Sequence, residues 1–143
     1  MGTLGRLVAI AVAALALVPT ASADTVQVLA DGKVRGMFEP RGKPYASDGP
    51  SVSVYLEKRD VKTADGRVVT GFQFSGWPEG GGVRVQVYLL VPGPGAANTY
   101  LPDGKAELLA RRYFSSVLLA KGDEVVLDKM DELGVEPMKV RLR

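Results

Sequence analysis

The chain has 143 residues, neither cysteine nor histidine, and 18 basic against 16 acidic side chains, for a formal charge of +2. The missing cysteine excludes disulfides, thiol catalysis and a cysteine-linked lipid anchor. The missing histidine removes the usual general base near neutral pH and the commonest transition-metal ligand, and so excludes a Ser-His-Asp hydrolase.

The first element is a leader. Arg6 is the one charge before an apolar run from Leu7 to Val18, and Pro19 ends that run. A dozen or so apolar residues suits a signal core and falls short of the roughly 20 needed to span a bilayer. Ala21 and Ala23 stand where a signal peptidase reads small residues, which predicts cleavage before Asp24. Residues 1–23 are thus expected to be a signal peptide and 24–143 a single domain, exported to a periplasm or the cell exterior. No later stretch is apolar enough for a membrane helix. Losing Arg6 leaves 17 basic and 16 acidic residues, too near balance to attract nucleic acid in bulk.

The exported part reads as short strands separated by turns. Val26, Val28 and Ala30 alternate ahead of an Asp31-Gly32 turn, and residues 39–50, with three prolines and two glycines, form a loop. Val52, Val54 and Leu56 alternate with Ser53, Tyr55 and Glu57 as a half-buried strand. A three-residue turn at Ala64-Asp65-Gly66 pairs Thr63 with Arg67 and sets Leu56 opposite Phe74, with Gly66 left-handed and Lys58 beside Phe72. Trp77-Pro78-Glu79 and Gly80 to Gly82 form the next connection. Val83, Val85, Val87 and Leu89 then alternate with Arg84, Gln86, Tyr88 and Leu90, until Pro92-Gly93-Pro94-Gly95 opens a linker.

Leu101-Pro102-Asp103-Gly104 is a tight turn. Residues 106–112 are read as a short helix, because Glu107 and Arg111 stand one helical turn apart among alanine and leucine. Lys121-Gly122-Asp123-Glu124 reads as a two-residue hairpin turn with Gly122 first, pairing Leu118 with Leu127 and Leu119 with Val126. Asp128 to Leu133 is one helical turn stopped by Gly134, and Met138, Val140 and Leu142 make a final strand. Seven or eight short strands at this spacing predict a mainly β, antiparallel β-sandwich, of which an immunoglobulin-like arrangement is one form. A small open β-barrel is the alternative.

No motif in the chain supplies a reactive centre. Ser-x-x-Lys and Gly-x-Ser-x-Gly are absent, and the three glycines at 80–82 precede a strand rather than the helix of a phosphate loop. Asp123, Glu124, Asp128, Asp131, Glu132 and Glu136 match no calcium loop and read as a solvated acidic edge. Lys139, Arg141 and Arg143 read as charges guarding a sheet edge, and Arg111-Arg112 as a surface pair. Tyr55, Gln73, Arg84, Gln86, Tyr88 and Leu90 point away from the inferred core, forming a mixed aromatic and polar face. These readings lead to a non-catalytic module, without cofactor or metal, that binds a protein or envelope polymer through this face. Two alternatives are a carbohydrate-binding module that uses Trp77 as a platform and a small carboxylate-dependent glycan hydrolase.

Overall fold

The computed structural model describes residues 24–44, 49–57, 60–93, 98–100 and 106–143. The predicted leader, with Ala21 and Ala23, lies outside them, as do Lys58 and the turn at 101–104. Among the described residues no helix is long and apolar enough to cross a membrane.

The described chain forms nine strands and a single 3-10 turn: β1 (Val26–Ala30), β2 (Lys33–Phe38), β3 (Ser51–Tyr55), β4 (Gly71–Glu79), β5 (Gly82–Pro92), β6 (Asn98–Tyr100), β7 (Ala106–Leu119), β8 (Glu124–Val126), the 3-10 turn Asp131–Leu133, and β9 (Met138–Leu142). They build two antiparallel sheets, ordered β2-β1-β9-β8 and β3-β4-β5-β7-β6. The expected sandwich is therefore the fold, and no closed barrel forms. The chain changes sheet between β2 and β3 and again between β7 and β8, a simpler path than the interleaved immunoglobulin order.

Alternation explains the core. Val83, Val85, Val87, Leu89 and Val91 of β5 and Phe72 and Phe74 of β4 are buried against Val26, Val28, Phe38, Val140 and Leu142 of the other sheet. Full burial of each such side chain contributes about 1.5–3 kcal/mol. The layers approach closely at Gly36 of β2, where a β-carbon would sit 2.4 Å from Val52 Cγ2.

Two turns follow their residue types. Asp31 and Gly32 both have positive φ, 55° and 70°, and join Ala30 directly to Lys33, as a two-residue primed hairpin requires. In the predicted three-residue loop the Thr63 amide donates to the Arg67 carbonyl at 2.8 Å, and Gly66 has φ 84°. That register does not continue into β3. Val52, rather than Leu56, lies opposite Phe74, and the Leu56 amide bonds the Thr70 carbonyl at 2.9 Å. The displacement is four residues, an even number, so the buried face is kept while the pairing moves.

Four other expectations are corrected. Ala106–Arg112 is not helical but the first half of β7, because β6 offers ladder partners to residues 106–108 and β5 to residues 109–112; an i,i+4 ion pair stabilises a helix by only about 0.2–0.5 kcal/mol. Trp77 is not in a loop: β4 continues to Glu79 and turns on Gly80 and Gly81, with φ 57° and 81°. Pro78 is tolerated because β3 ends opposite Ser75, leaving β4 one neighbour there. Residues 120–123 do not close a hairpin, since β7 and β8 belong to different sheets. The Asp123 amide bonds the Ala120 carbonyl at 2.9 Å, and Gly122, with φ 89°, takes the second central position of a crossing turn. Leu118 and Val126, expected to pair across that hairpin with Leu127 and Leu119, are instead about half exposed, at 49 % and 53 %.

Finally, the basic stripe is not on an edge. β9 lies between β1 and β8, and Glu124 of β8 sits 3.7 Å from Lys139 and 3.5 Å from Arg141. The 3-10 turn and left-handed Gly134 agree with the expected stop at that residue.

The close approach at Gly36 is testable by urea unfolding. Gly36→Ala should destabilise by about 1–3 kcal/mol, the usual range for overpacking. Combined with Val52→Ala, its effect should be smaller than the two single effects added together; strict additivity would show that the two positions do not meet.

Candidate functional site

The outward face of the five-stranded sheet is organised by one irregularity. Along β5 and β7, Val87 lies opposite Ser115 but Tyr88 lies opposite Tyr113, so Phe114 is an extra residue on β7. Such a bulge reverses which side chains face outward on either side of it. Beyond it Leu119, Val117 and Ser115 share the inward phase of Val83, Val85 and Val87. Before it Tyr113, Arg111 and Leu109 share the outward phase of Tyr88, Leu90 and Pro92.

This places Arg111 and Tyr113 beside Tyr88. The Arg111 guanidinium lies 5.0 Å from the Tyr88 ring centroid, and its Nη1 donates to Gln73 Oε1 at 3.2 Å. Tyr113 meets the same ring edge-on, with centroids 6.2 Å apart. The Tyr88 hydroxyl donates to Gln86 Oε1. Each of these residues restrains the next, which lowers the ordering entropy a ligand would otherwise have to overcome.

A concavity of about 190 Å³ opens on this face. Its sheet side is made by Ser75, Gly76, Trp77, Gln86, Tyr88 and Arg111, and its loop side by Arg41, Lys43, Gly49 and Pro50. Gln86 is 6 % exposed and Trp77 5 % exposed. The sequence-predicted residues therefore divide. Trp77, Gln86 and Tyr88 line the concavity, and Gln73 positions Arg111. Arg84 is held at its margin by Glu79, whose Oε2 accepts from Arg84 Nη2 at 2.8 Å. That bond, the guanidinium charge and the neighbouring Trp77 indole hold the Glu79 carboxyl below its ordinary range.

Tyr55 lies apart. It packs with Leu90 and Leu109, two buried residues that form a small apolar cluster on the outward face. Trp77 is too enclosed to offer its ring as the exposed platform that a loop position implied. Arg111, Arg41 and Lys43 were not singled out as site residues. The usable signal for Arg111 was its two-residue spacing from Tyr113 and Leu109, which only matters once the segment is a strand.

Charge is distributed unevenly. Elsewhere Arg35, Arg84, Arg112, Lys121, Lys139 and Arg141 each have a carboxylate partner. Among the described residues no carboxylate pairs with Arg41, Lys43 or Arg111, and none lines the concavity. Acidic residues away from it have partners of their own. Asp123 Oδ2 accepts from the Ala120 amide at 2.8 Å, and the Glu136 carboxyl is pushed up by its hydrogen bond to Asp31 and by that neighbour's charge. Among the described residues that line the concavity there is no pair of carboxylates of the kind glycan hydrolysis would use. No protein family, curated protein or solved structure matches the chain.

Arg112 is the counterpart of Arg111 on the opposite side of β7. It grips Asp65 of the 63–67 turn through both carboxylate oxygens, at 3.0 and 3.2 Å. These bonds, with a further one from the Thr63 hydroxyl, hold the Asp65 carboxyl well below the usual carboxylate range. A carboxyl depressed in the folded state adds stability above its unfolded pKa and loses it as pH falls through the folded value. Arg112→Ala should therefore lower the melting temperature at neutral pH, with the difference from wild type shrinking on acidification and in added salt. A difference constant across pH would assign the effect to packing of the arginine stem.

Proposed function

We propose that this protein is an exported, non-catalytic β-sandwich module that binds a component of the cell envelope at the outward face of its five-stranded sheet. The observation that supports this reading is the convergence of Tyr88, Gln86, Ser75 and Arg111 with the loop residues Arg41 and Lys43 around one concavity. Aromatic area, hydrogen-bonding side chains and arginine are the composition of recognition surfaces. Tyr88 is the centre of the group: it carries Arg111 on its ring, Tyr113 at its edge and Gln86 on its hydroxyl. Export rests on the leader, and a sequence without thiol or imidazole favours holding a ligand over transforming it.

Immobilised protein should retain envelope material, polymer or protein, from an extract. Tyr88→Ala should weaken that retention about tenfold, the effect of losing one well-packed aromatic contact of about 1.4 kcal/mol. Circular dichroism should show the variant still folded. Retention unchanged by Tyr88→Ala would remove this face from consideration, and no retention of any envelope fraction would remove the reading itself.

A further inference from the structure

The concavity also specifies the chemistry of its ligand, on the premise that the outward face binds an envelope component. We infer that it is a subsite for the anionic group of an acidic glycopolymer, a carboxylate or phosphate carried on a sugar chain.

Three features carry the inference. First, Arg41, Lys43 and Arg111 gather around one small space with no described carboxylate among its lining residues. Like charges gathered around one concavity raise the positive potential there, which an anion relieves. The near-neutral chain as a whole produces no such field.

Second, Arg111 is held in place before any ligand arrives. The Tyr88 ring lies against its guanidinium and Gln73 takes one of its N–H groups. A guanidinium has five donors, so four remain, and their planar fork matches a carboxylate or phosphate. Arg41 and Lys43 stand on the exposed loop across the concavity and add charge from the other side.

Third, the dimensions and lining suit one unit of a chain. A space of about 190 Å³ is below the roughly 300–1,000 Å³ of sites that enclose a whole small molecule. The acidic substituent can enter it while the polymer continues along the sheet. The rim provides the Tyr88 ring together with Gln86 and Ser75, an apolar body beside hydrogen-bonding groups, as a sugar ring requires.

The test is binding of the purified chain to four polymers: polygalacturonate, a phosphate-bearing polysaccharide, neutral dextran and polyglutamate. Affinity would be read by calorimetry between about 0.01 and 0.15 M salt. One or both acidic polysaccharides should bind, more weakly as salt rises, and dextran should not; which of the two binds identifies the source of the anion. Arg111→Lys, which keeps the charge but loses the fork and the ring contact, should lose about tenfold in affinity. Arg41→Gln with Lys43→Gln should also weaken binding, whereas Lys139→Gln on the other sheet should leave it unchanged. Thermal melts would confirm that each variant is folded. Equal losses from Arg111→Lys and Lys139→Gln would overturn the subsite in favour of general charge attraction. Stronger binding of polyglutamate would overturn the glycopolymer assignment. Binding of dextran or an envelope fraction that responds to Tyr88→Ala but to none of the cation variants would overturn the anion inference alone and leave the binding module standing.

Discussion

The structure turns on the ladder between β5 and β7 and on the one residue by which the two strands fail to match. β5 is paired on both sides, and its inward valines and Leu89 form the centre of the core. That burial fixes which way every β5 side chain points, because a one-residue slip would expose the whole apolar set. β7 must satisfy β5 along its length, yet its own sequence changes phase at Phe114. The extra residue resolves the conflict: Val117 and Leu119 stay with the core while Tyr113 and Arg111 turn outward beside Tyr88.

The same device separates two arginines that are neighbours in sequence. Arg112 goes to the inward side, near the end of the sheet, and closes an ion pair with Asp65. Arg111 goes to the outward side and meets an aromatic ring and an amide instead. One arginine is consumed in fastening a loop to the sandwich. The other keeps donors available. Cross-strand pairs do similar fastening in the second sheet, where Glu124 stands between Lys139 and Arg141 and Arg141 also donates to Gln27. The cations around the concavity are set apart by their convergence on one space.

Much of the fold could be read from residue order alone. The alternation of valine with polar residues in β1, β3, β5 and β9 is a period-two pattern, and the structure keeps the inward and outward sets it implies. Asp31-Gly32 and Gly66 could be placed because positive φ leaves few residue choices. Gln73, Gln86 and Tyr88 were legible as outward-facing for the same reason. Arg111 was not, since its segment carries an i,i+4 pair and good helix formers, and local propensity yields when a neighbouring strand offers a full ladder. Trp77 is followed in the sequence by proline and three glycines, which read as a connection, whereas a proline is tolerated on a strand that has lost one neighbour.

By itself, then, the order of residues determined what depends on single positions and on short periods: the absence of thiol and imidazole chemistry, the strand faces and the glycine turns. Tertiary structure alone decided what depends on which strand lies beside which. It set the pairing of β7 with β5 and the bulge at Phe114, sent β8 to the other sheet, placed β9 in the interior of its sheet, and brought Arg41 and Lys43 across from Arg111. The physical reason is that backbone hydrogen bonding is indifferent to side-chain identity. Partnership between strands is settled by the competition to bury all apolar faces at once, and that competition is not visible in any one segment.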